Sequence, residues 1–159
     1  KSLPSKITKY FVFDIIGKGD ENYKSSLVKL VKKYKLKNIK FKGYVSGESQ
    51  NIISEYDLFI SLTKDFEGFG LSVAEAMSVG VPVISTNVGA INEFCNYKNT
   101  TLIKPNSPKQ LEKSLQFFFK KKKLFYRKSR IAQKKINKKF SNEIMGKNYF
   151  EFFKKIKSY

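Results

Sequence analysis

The segment EGFGLSVAEAMSVGVPVISTNVGAINE, which runs from Glu67 to Glu93, is the stretch that decides the fold. Charged residues make up 28% of the chain, yet from Phe69 to Asn92 the only charged residue is Glu75. An unpaired carboxylate in an apolar segment is costly to bury. We therefore expect Glu75 to have a partner, either within the fold or in a ligand.

Short apolar strands alternate with helical segments on both sides of this stretch. Strands are predicted at Tyr10–Ile16, Ile39–Val45, Leu58–Leu62, Pro82–Thr86 and Thr101–Ile103, and helices around Leu27–Tyr34, Glu48–Tyr56 and Leu71–Ser78. This order predicts an α/β fold, with a Rossmann-like, doubly wound parallel sheet that has helices on both faces.

The residues after Pro108 form a helical extension. Leu111, Leu115, Phe118 and Phe119 make one helical face, and Met145, Tyr149, Phe152, Phe153 and Ile156 make another. The aromatic cluster Phe117–Phe119 and the C-terminal aromatic stripe are interpreted as core-facing, or as a face meant for the absent domain. We predict a nucleotide-sugar-binding core at residues 1–107, with the helices of residues 108–159 packing on the same domain. Length alone favours one compact domain.

The composition excludes several kinds of site. The chain has no histidine and only one cysteine, Cys95, so histidine-dependent catalysis, histidine-ligated metal sites and an internal disulfide are excluded. A cysteine-based zinc site is not expected, and no metal site is predicted. Cys95 is interpreted as a packed small residue. No apolar run is long enough to span a membrane and the first residues lack a signal-peptide core, so we expect a cytoplasmic protein.

The net charge of +19 leaves a second class of function open. A lysine-rich module that binds nucleic acid or an anionic membrane would carry such a charge, and so would a protein from a lysine-biased proteome. Only two of the 32 basic residues are arginine, the side chain preferred for base reading and for clamping phosphates. Nucleic-acid binding is therefore not expected. The lysine run Lys120–Lys123 is interpreted as a solvated turn or as a peripheral contact with the inner face of a membrane.

The loops after the strands contain the candidate ligand-binding residues, because ligands bind at the carboxyl ends of parallel strands. Gly17-Lys18-Gly19 is either a turn or the start of a dinucleotide site. Glu67-Gly68-Phe69-Gly70 lies before a helix whose free N–H groups can bind a diphosphate. Glu75 lies about one turn inside that helix, so Glu67 and Glu75 are expected to meet different parts of one ligand. The alternative is that Glu67 is a solvated loop acid and that Glu75 belongs to a buried structural ion pair.

The two glutamates and their context resemble the signature of the family 4 glycosyltransferases, retaining enzymes of the GT-B fold. Glu67 is followed after seven residues by Glu75, which gives the spacing of that signature. DIIGKGD from Asp14, FKGYV from Phe41 and EYDLFISL from Glu55 occur in the family's order. The resemblance covers about Tyr10 to Ile103.

The resemblance implies a role for each matching residue. Glu67 would lie beside the donor sugar, the backbone amides of Phe69, Gly70 and Leu71 would bind the sugar or diphosphate, and Gly68 belongs to the same loop. Glu75 would accept hydrogen bonds from the ribose. Tyr44 and Val45 would contact the base, and Gly17 would allow close approach of the donor.

The family resemblance also implies the reaction and its partners. The donor would be a UDP- or GDP-sugar, and transfer would retain the anomeric configuration without a metal ion or other cofactor. The product would belong to polysaccharide or glycolipid biosynthesis. The upstream arginine and lysine and the N-terminal acceptor domain of the family are missing here, so we expect this chain to bind donor but not to transfer sugar alone.

Two positions depart from the family pattern. Thr63-Lys64-Asp65-Phe66 stands where a Pro-Ser pair usually precedes the EGFG loop, and Gly89-Ala90 replaces a pair of glycines. The first change affects loop length and sugar contacts, whereas the second still permits a tight turn.

Overall fold

The computed structural model describes residues 9–157. It divides the chain into two compact units, Lys1–Gly47 and Glu48–Tyr159, where length alone favoured one. The boundary predicted at residue 107 stays a prediction.

The first unit is a parallel strand pair joined by a helix. Strand β1 is Phe13–Ile16, helix α1 is Glu21–Lys33, and β2 is Ile39–Gly43. Phe13 lies opposite Ile39, and the register shifts between Ile15 and Ile16. The Asp20 carboxylate caps α1 by accepting the Tyr23 N–H at 2.7 Å.

The second unit contains a three-stranded parallel sheet. Its elements are α2 (Ser49–Ser54), β3 (Phe59–Ser61), α3 (Leu71–Ser78), β4 (Val83–Thr86), α4 (Ile91–Phe94) and β5 (Thr101–Ile103). The strand order is β3-β4-β5, with Phe59 opposite Val83 and Ile84 opposite Thr101. Parallel strands alternating with helices confirm the predicted α/β class.

The core of the second unit lies between α3 and the central strand. All four residues of β4 are buried, and Val73, Ala76 and Met77 of α3 are fully buried. Cys95 is 2% exposed, with its Sγ atom 3.6 Å from the Sδ atom of Met77, so its interpretation as a packed small residue is confirmed. Burial raises the pKa of the Cys95 thiol.

Three helices follow the sheet: α5 (Pro108–Lys120), α6 (Lys122–Lys139) and α7 (Asn142–Lys157). The sequence pattern did not predict α6 as a helix of its own, and it did not predict the short α4. Helix α6 packs on α3 and α5 and buries Phe125, Ala132 and Ile136. The lysine run Lys120–Lys123 was predicted as a turn, but only Lys121 lies between the helices.

The aromatic clusters differ in burial. Phe118 on α5 is 2% exposed, whereas Phe117 and Phe119 are exposed. The apolar residues of α7, namely Met145, Tyr149, Phe152, Phe153 and Ile156, are all more than half exposed. The core-facing interpretation is therefore wrong for α7, because helical periodicity identifies an apolar face but not what covers it.

Candidate functional site

The loop from Glu67 to Leu71 connects β3 to α3 and turns sharply at Gly70. Gly70 is the N-cap of α3 and has a φ of +87° in the left-handed region. A Cβ at this position would overlap the Cδ1 atom of Ile91 and lie 3.4 Å from the Cγ of Glu67. Both the backbone conformation and the space therefore require glycine here.

The turn at Gly70 leaves the first amides of α3 available to a ligand. The helical hydrogen bonds begin with the Ala74 N–H donating to the Gly70 carbonyl at 3.0 Å. No side chain among the described residues caps the helix, and its first turn contains no acidic residue. A helix end with unpaired N–H groups and a positive dipole attracts anions.

Glu67 is held by two hydrogen bonds near the ends of β3 and β4. Its carbonyl oxygen accepts the Ala90 N–H at 3.1 Å, and its carboxylate Oε2 accepts the Thr63 hydroxyl at 3.1 Å. The Thr86 hydroxyl donates to the Thr63 carbonyl at 2.7 Å, which ties the two strand ends together. Glu67 is half-buried, so this arrangement fixes a carboxylate at the carboxyl edge of the sheet.

Both departures from the family pattern have a structural account. The sequence did not point to Thr63 as a site residue, yet its hydroxyl contacts the Glu67 carboxylate directly. Gly89 has a φ of +53° and lies against the Glu67 backbone, where a Cβ would overlap the Glu67 carbonyl oxygen. Ala90 has a φ of −74°, which any residue adopts. The turn therefore needs glycine at position 89 but not at position 90.

Glu75 lies on the second turn of α3 and is half-buried. Within residues 9–157, its carboxylate has no hydrogen bond or ion pair, whereas its backbone carbonyl accepts the Ser78 hydroxyl at 2.8 Å. Residues 9–157 therefore do not provide the structural ion pair that was the alternative interpretation of Glu75.

Three of the predicted site residues belong to the first unit. Gly17 follows β1, has a φ of +133°, and donates its N–H to the Gly43 carbonyl at 2.8 Å. A Cβ built at Gly17 would meet no heavy atom within 4 Å other than those of its chain neighbours, so the space on that side of the glycine is open. Tyr44 is 75% exposed and Val45 is half-buried just beyond β2. Their roles in a donor site stay predictions.

Helix α6 supports the helices that begin near the site. The Gln133 and Asn137 amides donate to the Ser78 carbonyl, at 3.1 and 3.5 Å, at the end of α3. Lys135 donates to the Phe94 carbonyl at 2.9 Å at the end of α4. In the sequence, α6 is indicated only by the helical spacing of Phe125, Ala132 and Ile136. The many lysines between these residues make that apolar pattern hard to recognise.

Residues 9–157 contain no group of three or more histidine, cysteine, aspartate or glutamate side chains that could hold a metal ion. In the same range, none of the helices has the length and apolar character needed to cross a bilayer.

The sequence matches a known family. A family model described as glycosyl transferases group 1 matches residues 1–140. The sucrose synthase of Melioribacter roseus is 33% identical over 136 residues, which cover 79% of this chain. That alignment spans only 17% of the sucrose synthase.

Solved structures of other proteins share the fold. The structure of Anabaena HepE in complex with UDP-glucose superposes with a TM-score of 0.87 at 19% identity, covering 96% of this chain and 42% of that one. The C-terminal domain of the glycosyl transferase group 1 family protein LpcC from Francisella tularensis gives a TM-score of 0.67 at 26% identity. It covers 76% of this chain and 64% of that one.

Proposed function

Because the chain belongs to the glycosyl transferases group 1 family, we propose that it is the donor-binding part of a retaining glycosyltransferase. The observation that carries the proposal is the loop at the start of α3, where Gly70 turns the chain and Glu67 is fixed beside free helix amides. The complex of HepE with UDP-glucose supports a nucleotide-sugar as the ligand class.

The donor diphosphate binds at the start of α3 in this proposal. The backbone amides of Phe69, Gly70 and Leu71 donate to its oxygens, and Gly68 keeps the approach open, since nothing lies within 4 Å of a Cβ built there. Negative charge develops on the diphosphate as its bond to the sugar breaks. Fixed amides and the helix dipole stabilise that charge without reorganising.

The two glutamates bind opposite ends of the donor. Glu67, oriented by the Thr63 hydroxyl, contacts the sugar, and Glu75 accepts hydrogen bonds from the ribose hydroxyls. The lack of a protein partner for the Glu75 carboxylate in residues 9–157 supports a ligand in that role. Gly17, Tyr44 and Val45 of the first unit contribute to binding of the nucleotide.

The reaction retains the anomeric configuration and uses a UDP- or GDP-sugar without a metal ion or cofactor. The sugar acceptor is bound by an N-terminal domain of the whole protein, in polysaccharide or glycolipid biosynthesis. We expect the 159-residue chain to bind donor but not to turn it over alone, since its match spans 42% of the HepE chain. Sugar transfer by this chain alone would contradict that expectation.

Nucleotide binding tests the proposal directly. Thermal unfolding should show that either UDP and UDP-sugars or GDP and GDP-sugars stabilise the chain. The reason is that a ligand that binds only the folded state raises the stability of that state. The Glu75→Gln variant should bind about tenfold more weakly or worse, since a hydrogen bond to a charged group contributes about 1.5–3 kcal/mol.

The matched control is Glu151→Gln, which neutralises an exposed glutamate on α7 and should leave nucleotide affinity unchanged. A chelator should also leave binding unchanged. Equal affinities for the wild-type chain and Glu75→Gln would remove the ribose role, and the absence of stabilisation by every nucleoside diphosphate would overturn the donor site.

A further inference from the structure

The positive charge of this protein is concentrated in its last three helices. Residues 108–157 contain 17 basic and 3 acidic residues, a net charge of +14 out of the total of +19. Within α6 alone, nine of 18 residues are basic and none is acidic. A uniform lysine bias would spread the charge along the chain, so this segment carries an electrostatic surface of its own.

The junction between α5 and α6 forms a basic groove of about 640 Å³. The groove, called the basic junction below, is lined by Phe119, Lys120, Lys121, Lys122, Lys123, Leu124 and Arg127. Only Lys122 among these lysines has an ion pair in the described residues, to Asp57 at 4.0 Å. Lysines at the start of α6 lie at the positive end of the helix dipole, which is unfavourable unless an anion is nearby.

Helix α7 carries an apolar face that no described residue covers. Met145, Tyr149, Phe152, Phe153 and Ile156, called the α7 stripe below, recur at helical spacing and are 54–58% exposed. Lys147, Lys154 and Lys155 lie on other sides of the helix by the same periodicity. Aromatic residues on one face and lysines on another are typical of helices that lie in a membrane interface.

We propose that the last three helices bind the surface of an anionic lipid bilayer. The basic junction binds the phosphate-bearing headgroups, and the α7 stripe inserts among the acyl chains near the surface. None of the described helices could cross a bilayer, so the contact is peripheral. This inference does not depend on the donor site.

Charge complementarity favours the bilayer over other occupants. A second copy of the chain would present the same positive helices and be repelled. A nucleic acid would make poor use of a surface with two arginines among 32 basic residues and of an apolar stripe formed by five side chains. An anionic bilayer satisfies both the charge and the apolar face.

Vesicle flotation with the full chain tests the charge requirement. Vesicles made of phosphatidylcholine alone should not bind, whereas an equal mixture with phosphatidylglycerol should bind and release the protein at high salt. Replacing Lys120, Lys121 and Lys123 with glutamine should weaken binding on the order of 100-fold, at about fivefold per lysine. In the matched control, three exposed lysines of the first unit, Lys29, Lys37 and Lys40, are also replaced with glutamine. This control variant should bind the anionic vesicles as the wild-type chain does.

A second pair of variants tests the apolar contact. Phe152→Ser should weaken binding about tenfold or more, because Phe152 belongs to the α7 stripe. Phe150→Ser is the control, since Phe150 is similarly exposed on the same helix but lies outside the stripe. All of these side chains are exposed, and cooperative unfolding at or above the melting temperature of the wild-type chain would verify that the variants fold.

Several outcomes would overturn the proposal. These are equal binding to neutral and anionic vesicles, no binding to either, or equal losses in the junction and control variants. Preferential binding of a single-stranded or duplex oligonucleotide would assign the charge to nucleic acid instead. A concentration-dependent dimer that Phe152→Ser dissociates, without vesicle binding, would assign the α7 stripe to a second copy.

Discussion

Gly68 and Gly70 lie two residues apart in the loop before α3, yet their surroundings differ. A Cβ at Gly68 would meet nothing within 4 Å, whereas one at Gly70 would overlap Ile91 Cδ1 in a backbone with a φ of +87°. The sequence pattern EGFG does not distinguish these two glycines. The distinction follows from the packing of α4 against the start of α3.

We expect Gly70→Ala to lower the free energy of unfolding by at least about 1–2 kcal/mol. The left-handed conformation alone costs that much for a residue with a Cβ, and the overlap with Ile91 adds to it. Gly68→Ala should change stability by less than about 0.5 kcal/mol. Denaturant unfolding of the two variants measures the difference.

The overlap and the backbone strain can be separated with Ile91→Val, which removes the Cδ1 atom. The Gly70→Ala/Ile91→Val double variant should recover part of the loss relative to the sum of the single changes. Strict additivity would mean that Ile91 does not restrict residue 70. A loss for Gly68→Ala as large as that for Gly70→Ala would contradict the different environments of the two glycines.

At the scale of single elements, α3 and β5 have the bounds that the sequence predicted. The predicted Leu71–Ser78 agrees with the observed helix, because Gly70 and Gly80 bound it and its apolar residues are continuous. Strand β1 was predicted to begin at Tyr10 but begins at Phe13, where the Phe13 N–H first bonds to the Asn38 carbonyl. Strand ends depend on the partner strand, which local sequence does not specify.

Helix α6 was missed because its own sequence is half basic and only weakly apolar. Tertiary contacts compensate: Gln133 and Asn137 donate to the Ser78 carbonyl, and Lys135 to the Phe94 carbonyl. These donors satisfy carbonyls that helix ends leave unpaired. Residues 55 or more positions apart make the first two contacts, so a local pattern could not indicate them.

The contact between α6 and α3 gives a prediction about the candidate site. Replacing Gln133 and Asn137 with alanine should destabilise the chain by about 1–2 kcal/mol, because the Ser78 carbonyl loses both side-chain donors. Hydrogen exchange should show faster opening at the end of α3. Lys138→Ala, an exposed neighbour on α6, is the control and should change stability by less than about 0.5 kcal/mol. Unchanged exchange in the double variant would mean that α6 does not support α3.

At the scale of the whole molecule, the positive charge is distributed unevenly along the chain. Of the net +19, residues 108–157 contribute +14, so like charges repel within the C-terminal helices. The total charge follows from the composition alone, whereas the helix bounds show which charged side chains are neighbours on a helix. Arg130, Lys134 and Lys138 are exposed on α6 at successive spacings of four residues, which places them on one face.

We expect salt to stabilise this protein. Raising the ionic strength toward 0.1 M shortens the screening length to about 10 Å, which weakens repulsion among the exposed lysines. The midpoint of thermal unfolding should therefore rise with added sodium chloride. A midpoint that falls or stays constant would mean that repulsion in the C-terminal helices does not limit stability.

Lys134→Glu identifies the source of that salt dependence. The substitution converts two like-charge pairs, with Arg130 and Lys138, into two opposite-charge pairs, so stability at low salt should increase by about 0.5–1 kcal/mol. Lys134→Gln removes the repulsion without adding attraction and should give about half of that gain. Because screening acts on repulsion and attraction alike, the advantage of both variants should shrink as salt is added, and an advantage that persists at high salt would assign it to helix propensity instead.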